Sequence, residues 1–329
     1  MAESFTYKEA GVDIEEAAAL VRDIGQLRRR TEKRRQLCQA FGLFAAAYDL
    51  SDYRNPVIVT GCDGVGTKLE LLLRHDLLET AGKDLVAMNV NDILTTGASP
   101  VMFLDYLGLG RLDRDRIRRL IAGMAEYLED CGCILAGGET AEMPGLVAED
   151  VIELSGFCIG AAEREDLVDP GRIARGDVVI GWPSSGFHAN GWSLVRRVLA
   201  HAPDRFSEEE LRALLAPTRL YHREVEGLME AGVRSHGFAH ITGGGIPENL
   251  GRLLGNQGAR LRVPRPADPG VARVLEYVED TEAIKTFNLG YGWTGVIRPE
   301  DVEAALGVGT GARVLGEIGG QALEVVLEG

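Results

Sequence analysis

At 329 residues the chain is long enough for two cores of ordinary size, and with 45% hydrophobic and 26% charged residues it has the composition of a folded globular protein rather than a disordered or fibrous one. Its net charge of −15 repels a phosphate-rich polymer, which argues against a nucleic-acid partner. A small phosphorylated ligand is still allowed, because backbone N–H groups or a bound cation can reverse the field in one cleft.

Along the chain, the first residues are polar with no signal-peptide core, and no run is long enough for a membrane span. The five cysteines follow no framework spacing and fit the reduced thiols of a cytoplasmic protein. Cys131-Gly132-Cys133 has no second pair of ligands in sequence, so zinc is not expected. Apolar runs predict strands over 57–59, 101–107, 151–159 and 178–180. The clearest helix spans 113–131, where Ile117, Leu120, Ile121, Met124 and Leu128 share one face and arginines the other, with Gly132 as its stop. A second helix follows Asn190 as N-cap, and a third covers 218–231. The polar stretch 163–176, with Pro170, Gly171 and Gly176, divides a domain over 1–165 from one over 166–329. Apolar runs at 313–318 and 322–327 predict a closing hairpin. The whole alternation predicts a mixed α/β fold.

Several segments carry chemistry. Gly61-Cys62-Asp63-Gly64-Val65-Gly66-Thr67-Lys68 follows a strand, where a glycine turn can aim amides at an anion, although an ordinary strand-to-helix turn explains the glycines equally well. The order Gly66-Thr67-Lys68 is not that of a P-loop. Asn89, Asn91 and Asp92 follow the apolar 85–88, so Asp92 is either a metal ligand or a capping and core-bonding group. Gly137-Gly138-Glu139-Thr140-Ala141-Glu142-Met143-Pro144-Gly145 offers two more carboxylates between turn residues. Asp63, Asp92 and Glu139 together suit Mg²⁺ on nucleotide phosphates only if their strands converge. Ser184, Ser185, Gly186, His188 and Asn190 lie between a strand and a helix, a place for phosphate, and no Gly-x-Ser-x-Gly spacing makes Ser184 a nucleophile. His240-Ile241-Thr242-Gly243-Gly244-Gly245 suggests close backbone approach to phosphate, and Thr286 to Gly292, including Asn288, is a weaker signal, readable as a plain turn feeding a strand.

In this order and nearly end to end, these segments resemble the phosphoribosylformylglycinamidine cyclo-ligase family. The resemblance begins with Tyr7-Lys8-Glu9-Ala10-Gly11 and also includes Ala216-Pro217-Thr218-Arg219. Its most specific elements are Asp63 to Lys68 and Gly137 to Gly145. It implies an N-terminal α/β domain whose strands build a barrel across a homodimer, and a C-terminal α/β domain covering the cleft. It further implies ATP and formylglycinamidine ribonucleotide as substrates, with aminoimidazole ribonucleotide, ADP and phosphate as products. By motif position Asp63, Asp92 and Glu139 hold Mg²⁺, and Lys68 faces the transferred phosphoryl group. Lys8, Gly64, Val65, Gly66, Thr67, Asn91, Ser185, Gly186, Asn190, Thr242, Gly243, Gly244 and Asn288 line the ligand cleft, with His188 and His240 as candidate bases. The chain departs from the family at 38–44, where a glycine-rich loop is replaced by Cys38-Gln39-Ala40-Phe41-Gly42-Leu43-Phe44, at Ala189 in place of serine, and at the bulky Trp182 and Phe187. The rival readings are a small-molecule kinase of the same fold, such as thiamine-monophosphate kinase, and a silent nucleotide-binding scaffold.

Overall fold

The computed structural model describes residues 14–38 and 44–328. Lys8 and most of the 38–44 departure therefore lie outside the described residues. Helix α1 (Ile14–Thr31) leads into the first sheet, built from β1 (Pro56–Gly64), β2 (Ser99–Leu109), β3 (Ile134–Glu142) and β4 (Ile152–Glu163) in the order β1-β4-β2-β3. Helices α2 (Lys68–Arg74), α3 (Leu78–Leu94) and α4 (Arg114–Cys131) connect these strands. Along β4 burial alternates, because α3 covers one face of the sheet while Ile58, Tyr106 and Phe157 stand exposed on the other.

Helix α4 shows how local chemistry sets an element. The Asp113 carboxylate accepts from the N–H groups of Asp115 and Arg116, and Gly132, at φ 69°, ends the helix in the left-handed region. The predicted limits of 113–131 hold to within a residue. Strand β1 runs further than its apolar start suggests, so Asp63 sits inside a strand and the turn is confined to 65–67.

After a linker with two short 3-10 turns, the second sheet contains β5 (Val178–Pro183), β6 (Gly237–His240), β7 (Ala259–Pro264), β8 (Tyr291–Ile297), β9 (Arg313–Ile318) and β10 (Leu323–Glu328), ordered β10-β7-β9-β5-β8-β6. The closing hairpin is not formed. Strand β7 lies between β9 and β10, antiparallel to the first and parallel to the second. Alternation fixes which face of a strand is buried and leaves its neighbour to long-range pairing. Helices α5 (Trp192–His201), α6 (Glu208–Leu214), α7 (His222–Glu230) and α8 (Gly245–Leu254) belong to this half. Helix α5 is capped by Gly191 rather than Asn190, and α7 starts four residues later than predicted because 218–221 is bound to α3 instead. No described helix is long and apolar enough to cross a membrane.

Candidate functional site

The site is built where the end of β1 and helix α3 meet the second half. Asn89 joins the two: its side-chain oxygen accepts from Asp63 N–H at 2.9 Å, and its amide group donates to the Asp63 and Leu85 carbonyls at 3.1 and 2.9 Å. A glycine is required opposite, since a Cβ on Gly156 would lie 2.6 Å from the Asn89 amide nitrogen. Asp63 is thereby aimed past the strand end, with one carboxylate oxygen accepting from Gly64 N–H at 2.7 Å. Burial pushes its carboxyl up, the Gly64 bond offsets part of the rise, and the neighbouring Asp92 carboxylate adds to it.

Asp92, three residues after Asn89, keeps 48% of its side chain exposed while one oxygen lies 2.9 Å from His240 Nδ1. Through this contact His240 in β6 orients Asp92 from across the domain boundary. Its Nε2 rests 3.4 Å from the Asn91 amide nitrogen. Among the described residues neither Asp63 nor Asp92 has a lysine or arginine within ion-pairing distance. Two adjacent carboxylates without a cation of their own, half open to solvent, fit a divalent ion with oxygen ligands.

Glu139 does not join them. Asp63, Gly156, Asp105 and Gly138 form one row across the sheet, and Glu139 pairs with Tyr106 in the next row, three strands from β1. At about 4.8 Å per strand its backbone is roughly 14 Å from that of Asp63, and its side chain leaves by the opposite face, so one ion cannot bridge them within a chain. No cluster of three potential metal ligands occurs among the described residues. The expected convergence of the three carboxylates is therefore absent from the single chain. Glu139 lines instead a cavity of about 680 Å³, with walls that include Leu20, Ile24, Tyr106 and Phe157. Asp105 also lines it, nine-tenths buried, with its carboxyl pushed up to about 7 by burial and by the Glu139 charge. The other carboxylate of that motif, Glu142, accepts from Leu112 N–H at 2.7 Å.

Two expected catalytic side chains are interior. Lys68 is fully buried, its ammonium 2.7 Å from Asp84 and donating to the Ala216 carbonyl at 2.7 Å. His188, at φ 60°, turns its ring inward against Gly292 and Tyr221, and its Nε2 accepts from Ser185 N–H at 3.2 Å. Burial drives its pKa well below the ordinary value, and the nearby His240, Lys68 and Arg219 push the same way, so the ring is neutral. Leu289, at φ 53°, is the other strained residue at this loop junction. The two loops are tied by Asn288, which donates to Gly186 O at 2.8 Å and accepts from Gly290 N–H.

What remains around the carboxylates is backbone. The turn Gly64-Val65-Gly66-Thr67 faces the 185–191 loop, with Thr67 and Ser193 hydroxyls 3.2 Å apart and a Gly66 Cβ position 3.9 Å from Ala189 O. Val65 itself is buried. The bulky departures are absorbed by packing: Trp182 donates to Val308 O, and Phe187 packs on Phe287 and Trp192. In the glycine run the three members differ. Gly245, at φ 61°, would place a Cβ 2.1 Å from Ile284 O, and Gly244, at φ 93°, caps α8, whereas Gly243 meets only Asn190 Oδ1 at 3.6 Å. Thr242 is bonded to Asn249. Only Gly243 thus leaves its side open to a ligand. Sequence reasoning missed Asp84 and Asp105; the seven-residue spacing from Asp84 to Asn91, two helical turns, was the signal for the first.

The AIR synthase related protein N-terminal domain matches residues 45–162 and the C-terminal domain of the same family matches 174–328. Among solved structures, a hydrogenase maturation protein HypE in complex with ATP aligns over 95% of this chain and 91% of that one, with TM-score 0.69 and 19% identity. The fold and site thus define a two-domain protein of the AIR synthase-related class. A phosphoribosylformylglycinamidine cyclo-ligase of Caldanaerobacter subterraneus subsp. tengcongensis is 43% identical over 330 residues, 95% of this chain and 97% of that protein. One of Sorangium cellulosum is 43% identical over 332 residues, 96% and 95% of the two. The chain belongs to the phosphoribosylformylglycinamidine cyclo-ligase family.

Proposed function

We propose that the cleft between the two halves closes the imidazole ring of formylglycinamidine ribonucleotide at the expense of ATP, giving aminoimidazole ribonucleotide, ADP and phosphate. The observation that carries the site assignment is the uncompensated pair Asp63 and Asp92 at the domain boundary, with His240 fixing Asp92. An amide oxygen is a poor leaving group. Transfer of the γ-phosphoryl to the formyl oxygen, followed by attack of the ribose-bearing amidine nitrogen on the formyl carbon, expels phosphate instead and accounts for the ATP. Magnesium on Asp63 and Asp92 would supply charge neutralisation at the phosphates.

The residues of this chain bind and orient. The 64–67 turn lies near Ala189 and Ser193, and Gly243 near Asn190, so these segments with Ser185 and Gly186 would border the ligand, and His240 holds Asp92. Lys68 and His188 act from within the fold and not on the substrate, because both are buried with their polar atoms turned inward. The cavity beside Glu139, apolar and aromatic, suits a purine base. Glu139 at its edge would then serve a second ion position rather than the one at Asp63.

The exposed apolar face of the first sheet supports a homodimer in which two such faces close a barrel. Phe157→Glu should leave a monomer by sedimentation, and a persisting dimer would remove the barrel. The reaction is tested with substrate carrying heavy oxygen in the formyl group. The label must appear in inorganic phosphate after one turnover. A kinase would leave phosphate on its product, and label in bulk water would overturn the mechanism.

A further inference from the structure

The loop from Ala216 to Tyr221 has no regular structure of its own, yet much of its backbone is hydrogen-bonded to side chains. Lys68 donates to Ala216 O at 2.7 Å, and Thr218 N–H donates to Asp84 at 2.6 Å. Two helical turns along α3, the Asn91 amide donates to Arg219 O at 2.9 Å and accepts from Tyr221 N–H at 3.1 Å. Ser185 fills the gap by donating to Pro217 O at 2.6 Å. Three side chains of the first half thus replace the hydrogen bonds that a helix or strand would give this loop. Lys68 and Asp84 are both wholly inaccessible, and the charge of each is acceptable there only through the other. The far end of the clamp is Asn91, which adjoins Asp92 in sequence and His240 in space.

We infer that Asp84, with Lys68 and Asn91, is a positioning residue: it fixes the 216–221 loop on α3 and so sets the distance from His240 to Asp92. The inference rests on the reading of Asp92 given above. The reaction chemistry stays at the cleft carboxylates, while the clamp holds the second half in register with them. Arg219 extends the clamp into the second half, since its guanidinium donates to Pro183 O at 2.8 Å and pairs with Glu224.

The test is the double variant Lys68→Met/Asp84→Leu in the full chain, which keeps the volume apolar while deleting the bonds to Ala216 and Thr218. Buried ion pairs tolerate such replacement, so the protein should still melt cooperatively. The amides of Thr218 and Tyr221 should exchange at least about tenfold faster by hydrogen exchange, while those in the core of α4 stay unchanged. Turnover should fall at least about tenfold, with the KM for ATP within about threefold of the parent, since the carboxylates on β1 and α3 have not moved. Unchanged exchange at Thr218, or faster exchange with turnover intact, overturns the inference. Should the double variant not fold, Asn91→Ala cuts the other end of the clamp without burying a charge, and the same criteria apply. Exchange does not depend on the reaction. Faster exchange and slower turnover in a protein whose Asp92→Asn variant is fully active would keep the clamp and discard the carboxylate reading.

Discussion

Asp84 and Asp92 stand eight residues apart on one helix, and both meet a cationic or ring nitrogen from elsewhere in the chain. Asp84 is sealed, with an ammonium on one oxygen and a backbone N–H on the other. Asp92 gives one oxygen to His240 and leaves the rest of its carboxylate in solvent, beside the like charge of Asp63. The same functional group therefore serves adhesion at one position and ligand binding at the other, and what separates them is whether each lone pair already has a partner. Stability and activity should divide along that line.

The largest effect should come from Asp84→Ala, which strands the Lys68 ammonium and should cost about 3–5 kcal/mol in denaturant unfolding, whereas Asp92→Ala should change stability by no more than about 0.5 kcal/mol. Equal costs for the two would erase the contrast. Asp63→Asn and Asp92→Asn should reverse the ranking, each lowering turnover at least about a hundredfold at saturating magnesium while the melting temperature holds or rises. ADP release and a thermal melt read both, and near-normal turnover would remove the metal assignment.

The glycine run repeats the contrast in backbone. Gly245→Ala should destabilise by about 2–3 kcal/mol, because φ 61° and the Ile284 carbonyl both oppose a side chain. Gly243→Ala should leave stability within about 0.5 kcal/mol and weaken ligand binding instead, as measured by calorimetry with ATP. Loss of fold at Gly243 would make it another packing glycine.

Asp105 provides the smallest and most selective test. Its carboxyl, held near 7 when folded, binds a proton that the unfolded chain has already released at neutral pH. The stability from that proton is complete below the unfolded value and is lost as pH rises through 7. Between about pH 6 and pH 8 the protein should lose roughly 1 kcal/mol from this group, and Asp105→Asn should flatten the slope by that amount. An unaltered slope in the variant would show that the carboxyl ionises at an ordinary pH.

Legibility in the sequence followed the range of the interactions. Helix α4 was readable to within a residue because its cap, apolar stripe and glycine stop are all local. Asp92 stood out because polar groups at the end of an apolar run need a reason, and Asp63 by its place in the glycine-rich segment from Gly61 to Lys68. The roles of Lys68 and His188 were not readable: one depends on a carboxylate sixteen positions away and a carbonyl of the other half, the other on a left-handed backbone that turns its ring inward. The strand that passes through Gly137 and Gly138 hid the direction of Glu139, since glycines there signalled a turn while the sheet continued. The missing hairpin has the same origin, as nothing local to β9 and β10 announces that β7 will come between them.

The burial of Lys68 also has a use in reactivity. Lys33 and Lys285 stand in solvent and should be acylated at once by an amine-reactive reagent, whereas Lys68 has no accessible surface and is paired with Asp84. Acylation of Lys68 therefore requires the two halves to part. The ratio of its labelling to that of Lys33, followed by mass spectrometry over time, would count openings of the domain boundary in the unmodified protein, and ligand in the cleft should slow that count.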